Sequence, residues 1–347
     1  MATRPTRASR YGPGAASGIS AGVLPPGTSQ ATLVLSTHRP ETVHLAKTLM
    51  ADHDTVVLEE PPDPGFTSML SGQLEIDAYL EELDLEFPAY SRLMCEALRD
   101  LQHNRIRIFQ VEPFIDTLLK IHEFFADGGK PSDLPQNTIL HRVYEVERKA
   151  TAALLNFYAI SVRGTFDACI EAVKKFARAD AQRFALRDQL RADAIIDVIS
   201  APGRHFIEAG QIHYPLWRVL KSKLPRGYRL RVCFLMAATL RNLGLKGHLY
   251  GPGDLLTLLY RFHPHRRFDE ENILAARALV FIKLIAKEEI EETSDPVPHC
   301  RDELEIGAIT RALSMADCRR LFGLIRKKST HDARDIVLRD VTSNGNL

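Results

Sequence analysis

The chain has 347 residues, of which 45% are apolar and 26% charged, and a formal net charge of +1. That composition supplies a full buried core and excludes a disordered tail or a small stapled scaffold, while the near-neutral charge gives nucleic acid and anionic membranes no overall attraction. The five cysteines lie far apart without a CxxC pair, which fits reduced thiols in the cytoplasm. No apolar run approaches the roughly 20 residues of a membrane-spanning helix.

Residues 1–30 are rich in Gly, Ala, Ser, Pro and Arg and contain no acid, so they are expected to form a disordered extension. Order begins at Ala31–Leu35, a short apolar run of the kind that forms a strand buried on both faces. A helix over 41–50 leads to a second strand at Thr55–Leu58, bounded by Asp54 and by Pro61-Pro62. Helical periodicity covers 74–83 and 90–102. The alternation of Ile106, Ile108 and Val111 then predicts a third strand, and Pro113 starts a helix running to Ala126.

Two long helical patterns, 140–161 and 166–199, make up a helical insertion over about 130–200. A fourth strand is expected at His205–Ala209, with a helical start near Tyr214-Pro215. Leu230–Met236 reads as strand or helix. Beyond about 225 the chain is helix-rich, with helices expected over 255–262, 270–289 and 315–327, and residues 331–347 read as a tail. Strands alternating with helices predict an α/β fold, a mainly parallel sheet with flanking helices, within a single domain over 31–330.

Ligands of open parallel sheets bind beyond the carboxyl ends of the strands, where loops and helix N-termini converge. Each expected strand delivers an acid or histidine there. His38 follows the first, Glu59 and Glu60 the second, Glu112 the third and His213 the fourth, with Glu208 inside the fourth and Gly210 just after it. Alternation sends Glu59 and Glu60 to opposite faces. A lone polar residue at a strand end is as readily structural as functional, but two histidines with two or more carboxylates at one edge favour a site. Arg183, Arg187 and Arg191 recur every four residues on the long helix; for Arg183 and Arg191 a solvated, ion-paired face is expected. The chain has no HExxH, GxGxxG, GxSxG or phosphate-loop lysine motif.

Leu35-Ser36-Thr37-His38, Glu59 at the end of the second strand, Glu112-Pro113 followed by Thr117-Leu118, Arg187-Asp188, and Gly210-Gln211-Ile212-His213 together resemble the motif order of the TraB/PrgY and TIKI superfamily. That superfamily also takes in ChaN and erythromycin-esterase-like proteins. Leu35 stands where the family has glycine, and Glu112-Pro113 where it has Asp-Arg. The resemblance runs from about Leu33 to Leu220 and leaves the C-terminal helices as an apparent addition. It implies a metal-dependent hydrolase of peptide, ester or amide bonds, acting on a peptide or small molecule. His38, Glu59 and His213 would hold a divalent Mn, Co, Fe or Zn ion. Glu60 or Glu208 would serve as general base or supporting partner and Arg187 as the clamp on an oxyanion, with Glu112, Asp188 and Gly210 lining the pocket. The alternative on the same scaffold is a non-catalytic regulatory or ligand-binding protein, with haem as one possible ligand.

Overall fold

A computed structural model describes residues 29–266, 268–290 and 293–343. The expected N-terminal extension lies outside these residues except for Ser29 and Gln30, which already belong to the first strand. The sheet has five strands, β1 (Ser29–Ser36), β2 (Thr55–Leu58), β3 (Arg107–Gln110), β4 (Arg204–Gly210) and β5 (Tyr228–Phe234). All are parallel, in the order β3-β2-β4-β1-β5. The ambiguous segment at 230–236 is therefore the edge strand β5; its half-exposed residues blur the continuous apolar run that marks the central strands.

Between β1 and β2 lies α1 (Pro40–Met50), and between β2 and β3 lie α2 (Phe66–Leu70), α3 (Ile76–Glu81) and α4 (Pro88–His103). Then come α5 (Pro113–Ala126), α6 (Ile139–Arg163) and α7 (Phe166–Val198) before β4, and α8 (Leu216–Lys223) before β5. Leu58, Phe206 and Val34 pack with Met50 and Leu98 on the α1/α4 face, whereas Val57, Ile207 and Leu35 pack with Ala192, Ile195 and Leu216 on the α7/α8 face. Thus β1 and β4, neighbours in the sheet, feed helices on opposite faces. Such a switch point opens a crevice at the carboxyl ends of the two strands, and the register that pairs Ser36 with Gly210 marks its floor.

The C-terminal region adds α9 (Ala237–Asn242), α10 (Pro252–Phe262), α11 (Glu271–Leu284), α12 (Pro298–Ala312), α13 (Met315–Ile325) and α14 (Thr330–Ser343). Three expectations need correction here. Helix α11 stops at Leu284, short of 289; α12 fills the region between two expected helices; and 330–343 is a helix, not a tail. Ala333, Val337 and Val341 of α14 recur every four residues and are buried against Leu284 and Phe322 in a second, all-helical core. The 33-residue α7 joins the two cores, its Ile170 and Val173 lying in the helical one and its Ala192 and Ile195 against the sheet. Among the described residues no helix is long and apolar enough to cross a membrane, and the five cysteines are free.

Candidate functional site

The crevice between β1 and β4 gathers side chains from both faces of the sheet. Gly210 sits at its centre. A Cβ placed there would touch His38 Cε1 at 3.5 Å, Glu59 Oε2 at 3.6 Å and His213 Cδ2 at 3.9 Å, so the three groups expected to share a pocket do meet. Because β2 continues its alternation past Leu58, Glu59 turns to the α7 face and Glu60 to the α4 face.

On the α7 face Glu59 is the hub. Its Oε2 accepts the Gly210 N–H at 2.5 Å, and its Oε1 receives Arg187 Nη2 at 3.1 Å and His213 Nε2 at 2.9 Å. The other ring nitrogen of His213, Nδ1, lies 2.6 Å from Asp188 Oδ1, and Arg261 of α10 reaches Asp188 Oδ2 at 3.4 Å. Arg187 Nε donates to Glu112 at 3.0 Å. Burial alone would raise the Glu59 carboxyl, but the charges of His213, Arg191 and Arg187 hold it well below the usual carboxylate range. Burial likewise works against a charged His213, yet Glu59 and Asp188 lift it to about 9, so it is an imidazolium at neutral pH.

Arg191 departs from expectation. It is fully buried, not solvated, and donates through Nε to the Val111 carbonyl at 3.0 Å and through Nη2 to the Glu208 carbonyl at 2.5 Å. It straps the ends of β3 and β4 together, satisfying carbonyls that would otherwise be orphaned at the rim. Arg183 matches the ion-paired face expected of it, bonded to Glu147 and Asp180.

On the α4 face Glu208 continues the row of Phe206. Its Oε1 accepts the Tyr90 hydroxyl at 2.9 Å and lies 3.7 Å from His38 Nε2, while Oε2 takes the Glu59 N–H at 3.3 Å. Glu60 is bonded by Gln110 Nε2 at 3.0 Å. Burial, then the charge of Glu208, pushes Glu60 up to about 7. His38 has φ 52°, a positive value uncommon outside glycine, and its N–H is held by Ser36 Oγ at 3.2 Å. The side chains of His38 and Arg187 are 30% and 21% exposed, against 7% or less for Glu59, Glu112, Arg191, His213 and Glu208. With Arg261, at 20%, these two are the charged groups of the network most open to an incoming molecule.

The raised Glu60 has a consequence for stability. A carboxyl whose folded pKa exceeds its unfolded value of 4.5 adds stability below that value and loses it as pH rises through about 7. Glu60→Gln should therefore leave stability at pH 4 unchanged and raise it at pH 8 by about 3 kcal/mol, measured by urea unfolding at both pH values. Equal unfolding midpoints of the two proteins at pH 8 would show that the Glu60 carboxyl is not raised by its surroundings.

The expected metal ligands meet as an ion-pair network, and that arrangement does not fit a metal. Both ring nitrogens of His213 face carboxylates, Nε2 towards Glu59 and Nδ1 towards Asp188. Both oxygens of Glu59 are engaged by N–H donors, two of them on cations. Among the described residues no group of three or more His, Cys, Asp or Glu side chains is disposed to hold a metal ion. On the α7 face Glu59, Glu112 and Asp188 are outnumbered by Arg187, Arg191, Arg261 and His213, which favours a developing negative charge over a divalent cation.

Sequence reasoning missed Tyr90, Gln110, Arg261 and the role of Arg191. Gln110 ends β3 and could have been found by the strand-end rule. Tyr90 and Arg261 come from helices with no motif to mark them.

Comparison with known proteins places one relative beside this chain. An uncharacterized protein of Archaeoglobus fulgidus is 29% identical over 291 residues, covering 84% of this chain and 97% of that protein. A match of that length cannot be confined to the sheet and its helices up to α9, so it takes in part of the C-terminal helical region. That region, read from the motifs as an addition, is at least partly shared. No protein-family model matches the chain, and no solved structure does.

Proposed function

We propose that this chain is a hydrolase that cleaves a peptide, ester or amide bond in the crevice around Gly210. The observation that supports it is the pairing of two reachable groups of complementary chemistry. His38 is held in a strained backbone conformation beside Glu208, and the Arg187 guanidinium is fixed across the same crevice by Glu59 and Glu112. In this reading His38 takes a proton from a water whose oxygen attacks the carbonyl carbon, and Glu208 steadies the resulting imidazolium. Arg187 uses two of its five N–H donors on carboxylates and has others left for the oxyanion. Collapse of the adduct breaks the C–O or C–N bond, and the leaving group receives the proton back from His38. Glu60, largely protonated below pH 7, limits the negative charge beside Glu208.

The resemblance to TraB/PrgY and TIKI proteins points to the same reaction class. The metal chemistry attributed to TIKI members is not carried over, because Glu59 and His213, two of the three donors it would need, are committed to ion pairs. The crevice is lined by charged and hydrogen-bonding groups, which favours a hydrolase over a haem pocket or a regulatory protein. The free thiols support a reducing compartment such as the cytoplasm.

A panel of chromogenic esters, anilides and fluorogenic peptides, assayed before and after treatment with a chelator, tests the reading. Turnover of at least one class should survive chelation, and Arg187→Lys, which keeps the charge but loses the fork, should lower kcat about 10²–10³-fold. No turnover of any class by folded protein would sink the proposal, and turnover that depends on added metal would sink its metal-free form.

A further inference from the structure

The loop after β1 carries a second cationic side chain that the reaction above does not use. Arg39, adjacent to His38, caps α1 in extended backbone with no side-chain cap bond. Its guanidinium lies 4.2 Å over the ring of Phe87, the residue that caps α4, and the first turn of α4 carries Tyr90, whose ring is 5.6 Å from that of His38. Arg39 Nε and Nη1 are buried and neither donates a hydrogen bond.

The surrounding acids do not answer this charge. Glu41, two residues on, is saturated by the His299 ring at 2.7 Å and by the N–H groups of His299 and Cys300 at 3.0 and 3.1 Å. Glu303 of α12 is near enough to feel the charge of Arg39, yet no ion pair of 4.0 Å or less joins them. Its Oε2 is itself buried without a partner, and burial pushes its carboxyl up to about 8, so it is mostly neutral at pH 7. Thr37 Oγ1, on the same loop, is buried against the Cys300 thiol. Native interiors leave few such atoms unmatched, and guanidinium N–H groups without an acceptor are among the unfavourable ones.

We propose that Arg39 binds an anionic oxygen group of the ligand, a carboxylate or a phosphate, beside the crevice at His38. This deepens the hydrolase reading by assigning the substrate a negative charge near its scissile bond. It also stands on a binding measurement that does not require turnover.

The test is thermal unfolding of the full chain in sodium phosphate, sodium acetate and sodium chloride at matched ionic strength, for the native protein and for Arg39→Met. Phosphate or acetate, at roughly ten times its dissociation constant, should raise the native Tm by about 2 °C, while chloride does not. The response to one anion and not the other identifies the group. Arg39→Met should show no anion response, and its Tm without added anion should equal or exceed that of the native chain, because an unmatched buried charge has been removed. A methionine variant that keeps the full anion response would overturn the proposal. So would a Tm several degrees lower with no anion response in the native chain, since that pattern marks an internal bridge from Arg39 to Glu303. Either failure is separable from a failure of hydrolysis, which leaves the anion response intact.

Discussion

Glu59→Ala should destabilise the protein by about 3–5 kcal/mol, the usual loss when one member of a buried charge network is removed and its partners stay behind. The partners here are His213, Arg187 and the Gly210 N–H, with Arg191 Nη1 at 3.9 Å. None has a replacement for Glu59 in the same direction. His213 reports the loss separately. Of the groups that lift it to about 9 against its burial, the charge of Glu59 is the largest, so its titration in the variant, followed by NMR, should move down. The linkage has a definite sign in the native protein. A histidine raised from 6.5 to about 9 contributes stability that is complete below 6.5 and is lost as pH rises through 9. Glu59, depressed, contributes stability present above 4.5 and lost in acid. A loss below about 1 kcal/mol in urea unfolding, with His213 titrating unchanged, would mean that Glu59 is not the hub of the rim.

That hub explains why the meeting of His38, Glu59 and His213 at one sheet edge was readable while their pairing was not. Strand ends are visible in sequence because buried parallel strands are short apolar runs, and Ala31–Leu35, Thr55–Leu58 and His205–Ala209 all lie within strands. Acids and histidines immediately after such runs are carried to one edge by topology alone. Whether an acid at that edge is a free ligand or half of an ion pair depends on which distant helix crosses it. Arg187 and Arg191 belong to a helix that begins in a different core, and Arg191 binds two backbone carbonyls, partners that no side-chain pattern announces. Evenly spaced arginines on a helix look the same whether the face meets water or a sheet rim.

The C-terminal region shows the opposite kind of miss. The four-residue spacing of Ala333, Val337 and Val341 was legible as an apolar stripe, but the polar residues between them made the segment read as a tail. The region also matters to the site. Arg261 of α10 reaches Asp188, and Tyr250 donates to the Gln211 carbonyl at 3.0 Å, so helices beyond the sheet hold the loop that carries His213.

His38→Gly and His38→Ala should both lose hydrolytic activity by about 10²–10⁴-fold, the range associated with a positioned general base, yet they should separate in stability. Alanine keeps a Cβ at φ 52°, where L-residues are strained; glycine adopts that conformation freely, at the expense of greater freedom in the unfolded chain. The glycine variant should be the more stable of the two by about 1 kcal/mol in urea unfolding. Neither variant should approach the loss expected for Glu59→Ala, because His38 is partly exposed and its contact to Glu208, at 3.7 Å, is longer than a hydrogen bond. This contrast divides the rim into two parts. The α7 face, largely buried and ion-paired, holds the strand ends in register, whereas the α4 face keeps one imidazole under backbone strain at the crevice mouth. Strain of that kind persists only where the surrounding structure enforces it, and here Ser36 Oγ and the ring of Tyr90 do so. A His38→Gly protein that hydrolyses the same substrates at the native rate would remove the imidazole from the reaction and leave its strained backbone without a chemical purpose.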